Sequence, residues 1–291
     1  MRITREQQDI LNSLKCERLT SNPENLRLVQ QFVNLRNPNL ADYLKNEAWQ
    51  EDLCGDVTYY LVKNPQDEVL LYFSLKCGAM FEDFNEHRME KEYRFWKELK
   101  GILEQSINGD ENFQKVRNII ENLYMGREVH DEVLRDVVKK LSAPVKKKMN
   151  MLLQDRAMEQ NKNIVRVSAT LAGVELVQFC ANDKTKGYWK SLGFHQTLGC
   201  VVFWTKIVPL IMQVRSLAGC KYVFLFAADT SEEGNLMTYY RDSLHFEEPQ
   251  DLGTNKPFYD LFCKFMCQKT EDLSAGQEEF YETFNPDIED V

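Results

Sequence analysis

The residues best suited to chemistry fall between Val174 and Phe246. Glu175 lies in the apolar string Val174-Glu-Leu-Val177, so burial is expected to raise its carboxyl pKa toward values useful for proton transfer. On a strand of period two it would share a face with Val177, Phe179 and Ala181. Thr197 is a candidate N-cap ahead of Gly199, at the head of a long apolar run. A helix N-terminus offers unpaired amides and partial positive charge, a seat for a pyrophosphate. Glycine there lets a phosphate approach the backbone closely. The amides of Leu198, Gly199, Cys200 and Val201 are the expected donors, with Lys184, Lys186 or Lys190 as a source of charge. Tyr239 and Tyr240 are adjacent, so one must face the core and at most one can act. Cys180 and Cys200 flank the same loop, but neither has a histidine or lysine at a spacing that would activate it.

The elements that must position these residues are readable in outline. Val174–Cys180 reads as a strand, Asn182–Leu198 as a polar loop, and Gly199–Ala218 as a long apolar helix that Pro209 should kink or break. Lys221–Ala228 is nearly all apolar, which implies a strand buried on both faces. Asn235–Leu244 reads as a helix and 258–268 as an edge strand. Upstream, a first strand is expected around Cys16–Thr20, then helices from Asn25 and over Leu40–Trp49. A hairpin follows, Asp56–Val62 and Glu68–Leu75, turning at Lys63-Asn-Pro-Gln-Asp67. From Glu82 to about Asn161 apolar residues recur at helical spacing among dense charges, predicting an insertion of three or four helices punctuated at Asn108-Gly-Asp110 and Ala143-Pro144. Lys146-Lys-Lys148 reads as a solvated helix face. Trp189 and Phe194 in the loop suit either a purine ring or packing. The tail from Thr270 is acidic and expected to be loosely ordered.

With 43% hydrophobic and 28% charged residues, the 291-residue chain is an ordinary globular sequence. A net charge of -9 argues against gripping a phosphate backbone. The N-terminus shows no apolar core of a secretory signal, and no apolar run is expected to reach the roughly 20 residues of a membrane span. The 8 cysteines are scattered without zinc spacing, so a reducing cytoplasm, no disulfides and no metal are expected.

The order of parts, with Phe179-Cys-Ala181 closing one strand, Leu198-Gly-Cys200 opening a helix, Gly219-Cys-Lys-Tyr-Val-Phe-Leu225 leading the next strand and Tyr240-Arg-Asp-Ser-Leu-His-Phe246 ending a helix, resembles the GCN5-related N-acetyltransferase (GNAT) superfamily, as a divergent bacterial-type member with a helical insertion. The basic residue and first glycine of that family's phosphate loop are missing. The Tyr-x-x-Leu-Gly-Phe signature has one extra residue and His245 in place of glycine. The resemblance spans 17–81 and 163–268 as an acyl-CoA-binding domain, with 82–162 as the insertion between strands 3 and 4 and 269–291 as an acidic tail.

The resemblance implies an α/β (α+β) fold: a mixed, mostly antiparallel sheet flanked by helices. It implies acetyl transfer from acetyl-CoA to an amine by direct attack in a ternary complex, on a small molecule or a protein. The Cys180 or Ala181 amide would polarise the thioester, Glu175 would act as base, and Tyr240 would protonate the leaving thiolate. That last transfer is uphill by about 2 kcal/mol, from a tyrosine pKa near 10 to a thiol near 8.5. Phe179, Cys180, Ala181, Leu198, Gly199, Cys200 and Val201 would hold the cofactor. Neither nucleic acid nor membrane is expected as a partner, and a homodimer is left open. The alternative is a GNAT-like domain with weak catalysis that works as an interaction module through its insertion. A toxin-type enzyme acting on charged tRNA is disfavoured by the acidic charge.

Overall fold

The computed structural model describes residues 2–83, 86–123, 125–158, 167–228, 234–250, 252–254 and 263–285. The chain divides into two compact units, Met1–Glu82 with Ala169–Val291, and Asp83–Ser168.

The first unit is built on a 7-stranded sheet. Its strands are β1 (Lys15–Arg18), β2 (Thr58–Lys63), β3 (Val69–Asp83), β4 (Val167–Ala181), β5 (Tyr222–Ala227), β6 (Leu252–Thr254) and β7 (Lys264–Lys269). The order is β1-β2-β3-β4-β5-β7, with β6 beside β3. The β1–β2, β2–β3, β3–β6 and β5–β7 pairs are antiparallel and β4–β5 is parallel. This is the mixed, mostly antiparallel α/β architecture expected. Of the predicted edge strand, residues 258–262 lie outside the described residues.

The apolar character of β5 is explained by its place between β4 and β7. Val223, Leu225 and Ala227 enter the main core, while Tyr222 and Phe224 enter a smaller one with Met80 and Cys267. Phe224 lies over two glycines: a Cβ at Gly78 would come within 2.6 Å of its ring, and one at Gly173 within 2.9 Å.

α1 (Arg5–Ser13) precedes β1, and α2 (Asn25–Val29), α3 (Pro38–Asn46) and α4 (Ala48–Cys54) follow it. The single helix expected over Leu40–Trp49 is thus two. Phe32, Leu44 and Ala48 pack with Tyr59, Tyr72 and Cys180 in a second core on one sheet face. Buried Asp52 anchors this layer, accepting from the Arg18 guanidinium at 3.0 Å and the amides of Thr20 and Tyr59 at 3.1 Å.

The second unit holds α5 (Glu86–Gln105), α6 (Glu111–Leu123) and α7 (Asp131–Met158). Leu99, Leu103, Phe113, Val116, Ile120, Leu134 and Val138 form its core. Ala143-Pro144 does not break the last helix, which runs through Pro144. Pro144 is exposed, so the carbonyl that loses its amide partner can turn to water.

Two further expectations are corrected. The loop before Gly199 contains a 3-10 turn at Asp183–Thr185 and α8 (Lys186–Ser191). Of the tail from Thr270, residues 286–291 lie outside the described residues, but the part before them forms α12 (Leu273–Glu282), and Leu273, Phe280 and Phe284 enter the main core. Its acidic residues hide an apolar stripe at helical spacing.

The long helix is α9 (Leu198–Val202), a π turn at Phe203–Ile207 and α10 (Val208–Ala218). Pro209 does not end it: the wider turn falls just before the proline, where a normal ladder bond is lost. Leu198–Ala218 is long and apolar enough, at 21 residues, to cross a membrane, contrary to expectation. Val201, Phe203, Trp204, Ile207, Val208 and Ile211 of this helix are buried in the main core.

Candidate active site

The geometry begins with β4. Val174 and Leu176 belong to the main core, and Phe179 and Ala181 pack against it. Val177 packs against the second core, Cys180 belongs to it, and Gln178 accepts from the hydroxyl of Tyr72 in that core at 2.8 Å. Val177 and Gln178 therefore lie on one face in succession, and the alternation inverts there, the signature of a β-bulge. The Gln178 amide donates to the Ser74 hydroxyl at 3.1 Å. The expectation that Glu175 shares a face with Phe179 and Ala181 is thereby overturned. Strict period two holds on each side of the bulge but not across it.

β4 pairs with β5 over three positions only, Gly173, Val174 and Glu175 opposite Tyr222, Val223 and Phe224. β4 then runs on to Ala181 while β5 runs on to Ala227 against β7. The two strands part at Glu175. Beyond the bulge the Gln178 and Asn182 amides turn toward β3, the latter donating to the Leu70 carbonyl at 2.8 Å. Alternation turns those of Phe179 and Ala181 toward the opening, rather than that of Cys180.

A cavity of about 540 Å³ lies beside the Phe179–Ala181 end of β4, and no residue of β5 is in its lining. Phe179, Ala181, Leu198, Gly199, Tyr239 and Tyr240 line it, with Arg36, Lys186 and Lys190 as its cations. Of the predicted lysines, Lys184 is not in the lining. Arg36 was not foreseen. Its loop is fastened to the end of β4: Asn34 donates to the Ala181 carbonyl at 3.1 Å, the Val33 amide to the Asn182 side chain at 3.1 Å, and the Leu35 amide to Asp183 at 2.5 Å. No local signal could link Asn34–Asn37 with residues so distant in the chain.

The expected cofactor donors divide into two sets. Leu198 and Gly199 line the cavity. Cys200 and Val201 are buried behind it, and their amides donate to the Thr197 hydroxyl at 3.3 Å and the Thr197 carbonyl at 3.1 Å. Thr197 is the N-cap as read from the sequence. The packing gives position 199 a steric reason to be glycine: a Cβ there would lie 2.5 Å from the Tyr239 hydroxyl and 3.3 Å from the Phe179 ring. Trp189 stacks on Phe194 at 4.7 Å and donates to the Gln196 carbonyl, so it packs as well as lining the cavity.

Both tyrosines reach the cavity, which sequence adjacency did not suggest. Tyr239 is hydrogen-bonded with Thr197, and burial pushes its hydroxyl well above the ordinary range. Tyr240 is 9% exposed and packs edge-on to Phe246. His245 caps α11 (Asn235–Leu244) in the left-handed conformation, φ 60°, the backbone state for which glycine is favoured.

Glu175 is 8% exposed and does not line the cavity. It lies at the last paired position of β4, opposite Phe224. Burial raises its carboxyl above the ordinary value, and Lys76 opposes this more weakly. Burial likewise pushes Cys180 up to about 12 and Cys200 to about 11. Both stay thiols at neutral pH, unsuited to nucleophilic attack. Among the described residues no cluster of histidine, cysteine, aspartate and glutamate could hold a metal.

No protein-family description matches the chain, and no curated protein matches it. Among solved structures, the mutant AtaT toxin is similar at 12% identity and TM-score 0.47, over 91% of this chain and 93% of that one. The same mutant with the C-terminus of the antitoxin AtaR and acetyl-CoA gives 12% and 0.46, over 90% and 96%. AtaT complexed with acetyl-methionyl-tRNAfMet gives 12% and 0.42, over 90% and 98%. The exclusion of nucleic acid as a partner is withdrawn on this last finding, since a protein of similar chain course is seen with a tRNA. The physical fault lay in using net charge, a whole-molecule sum, where local charge decides binding.

Proposed function

We propose that the chain is an acyltransferase that binds acetyl-CoA in the opening between β4 and β5 and moves the acetyl group to an amine. The observation that carries this reading is the parting of two parallel strands at Glu175, with a cavity of about 540 Å³ beside the freed end of β4. The pantetheine arm would run between the strands. The amides turned into the gap at Phe179 and Ala181 would donate to the thioester oxygen, and such donors are worth roughly 3–4 kcal/mol when aimed at a developing oxyanion. Arg36, Lys186 and Lys190 would meet the phosphates in place of the missing loop residue, together with the Leu198 and Gly199 amides.

The amine nitrogen forms its bond to the carbonyl carbon as the carbon–sulfur bond breaks. Tyr240 gives its proton to the leaving thiolate, and the amine's proton passes to Glu175. Glu175 lies at the apex of the opening but on the opposite face of β4, so the acceptor would approach from that face. The buried thiols favour this direct route over an acyl-cysteine intermediate.

Calorimetric titration with acetyl-CoA tests the reading. Saturable binding is expected; no heat at millimolar acetyl-CoA overturns it and leaves the chain a binding module. Where binding is seen, Tyr240→Phe should lower turnover roughly 100-fold at unchanged affinity, as for loss of a general acid. The acceptor panel should include peptides, small amines and aminoacyl-tRNA.

A further inference from the structure

The helical unit carries a charge pattern opposite to that of the rest of the chain. Residues 83–168 contain 17 Lys and Arg against 15 Asp and Glu. The whole chain has a net charge of -9, so the excess of acid lies outside this unit. The positive charge concentrates on α7. Between Asp136 and Asp155 there is no acidic residue, and Lys139, Lys140, Lys146, Lys147 and Lys148 fall in that interval.

All five lysines are exposed, and none makes an ion pair among the described residues. By contrast Lys100 and Lys115 of the same unit pair with Glu104 and Glu111 at 3.4 and 2.8 Å. At 100° per residue, Lys139, Lys140, Lys146 and Lys147 fall within an arc of about 120° on α7, and Lys148 lies about 80° beyond it. Leu134, Val138, Val145 and Met149, on the other side, are buried. The stripe is roughly 14 Å long, from the helical rise. Unpaired like charges this close repel one another, a standing cost that an anionic partner would remove.

We propose that this face of α7 docks the phosphate backbone of a nucleic acid. A polyanion matches a linear array of exposed ammonium groups and needs no pocket. An anionic membrane fits less well, because a helix lying in a membrane surface must offer a continuous apolar side. On α7 Leu134, Val138, Val145 and Met149 are buried, while of its large apolar residues only Val133 and Met151 stand exposed among the described residues. The inference stands apart from the acyltransferase reading.

The test is fluorescence anisotropy of a labelled single-stranded RNA with the full chain across a series of salt concentrations. Five phosphate contacts predict a slope of log K against log salt of about -3.5, from roughly -0.7 per contact on a single strand. Replacing the five lysines by glutamine should abolish binding at 0.1 M salt, while Lys100→Gln with Lys115→Gln leaves the slope unchanged. An unchanged thermal midpoint shows that the quintuple variant is folded. No anisotropy change for the unaltered chain at 50 mM salt overturns the proposal, as does a slope that survives the five substitutions. Sedimentation with phosphatidylserine vesicles but no RNA binding would assign the face to a membrane and equally overturn it.

Discussion

At Gly173–Glu175, β4 lies in parallel register against β5; at Phe179–Ala181, on the same strand, β5 is no longer its neighbour. The paired end is dry, with the Phe224 ring seated where Gly78 and Gly173 lack side chains. The parted end is lined by tyrosines and by cations from two other segments. The Val177–Gln178 bulge separates them by turning the next side chains to the other face. One end of the strand holds the sheet together and the other opens onto a cavity. A sheet cannot do both at one position, since closing the ladder fills the gap.

The largest expected effects test that division directly. Phe224 is 1% exposed, and Phe224→Ala should cost about 3–5 kcal/mol in urea unfolding, the usual range for emptying a buried aromatic site. Ala181→Leu at the open end should cost under about 1 kcal/mol, because its added atoms point into the cavity, yet it should abolish the heat of acetyl-CoA binding. The contrast fails if Ala181→Leu unfolds the protein as severely as Phe224→Ala, or leaves binding intact.

A smaller effect resolves why position 199 is glycine. Gly199→Ala should cost about 1–3 kcal/mol as overpacking against the Tyr239 hydroxyl. In a Tyr239→Phe background that oxygen is gone, and the cost should fall to under about 0.5 kcal/mol, a coupling read from the double-mutant cycle. If Gly199 also admits a phosphate to the backbone, acetyl-CoA affinity stays weak in the double variant although stability returns. Full recovery of both would make Gly199 a packing residue alone.

Much of this frame is legible in the sequence. The hairpin shows in β-branched and aromatic runs around Lys63–Asp67, and β5 in a string with no polar residue to face water. The helical unit shows in its 3.6-residue period. The bulge is not legible, because Val177 and Gln178 differ in polarity as alternation demands, and only the Ser74 hydroxyl and Tyr72 reveal that they share a face. Arg36 enters the site through hydrogen bonds to residues nearly 150 positions away. Composition misled at the tail, where Leu273, Phe280 and Phe284 anchor an acidic helix. His245, a departure from the expected glycine, keeps glycine's backbone conformation.

The finest test concerns the apex, where the two ends of β4 meet at Glu175. Burial raises its carboxyl above the ordinary 4.5 in the folded chain. Below that value both states hold the proton, and the group contributes nothing to pH dependence. As pH rises through the window, the unfolded chain releases its proton first and binds fewer than the folded one. Stability therefore falls with pH until the folded carboxyl ionises too, and the penalty stays constant above that point. Glutamine has the same shape without the charge, so Glu175→Gln should raise the melting temperature at pH 7.5, and the gain should fade toward pH 4. A loss at pH 7.5 would mean that Lys76 holds the carboxylate as a stabilised ion, whereas a gain that persists at pH 4 would come from packing or hydrogen bonding and not from the charge. In turnover the same raised carboxyl predicts an acidic limb that lies above the ordinary carboxylate range and disappears in Glu175→Gln. An unchanged limb would remove Glu175 from proton transfer and leave it a packed residue at the point where the strands divide.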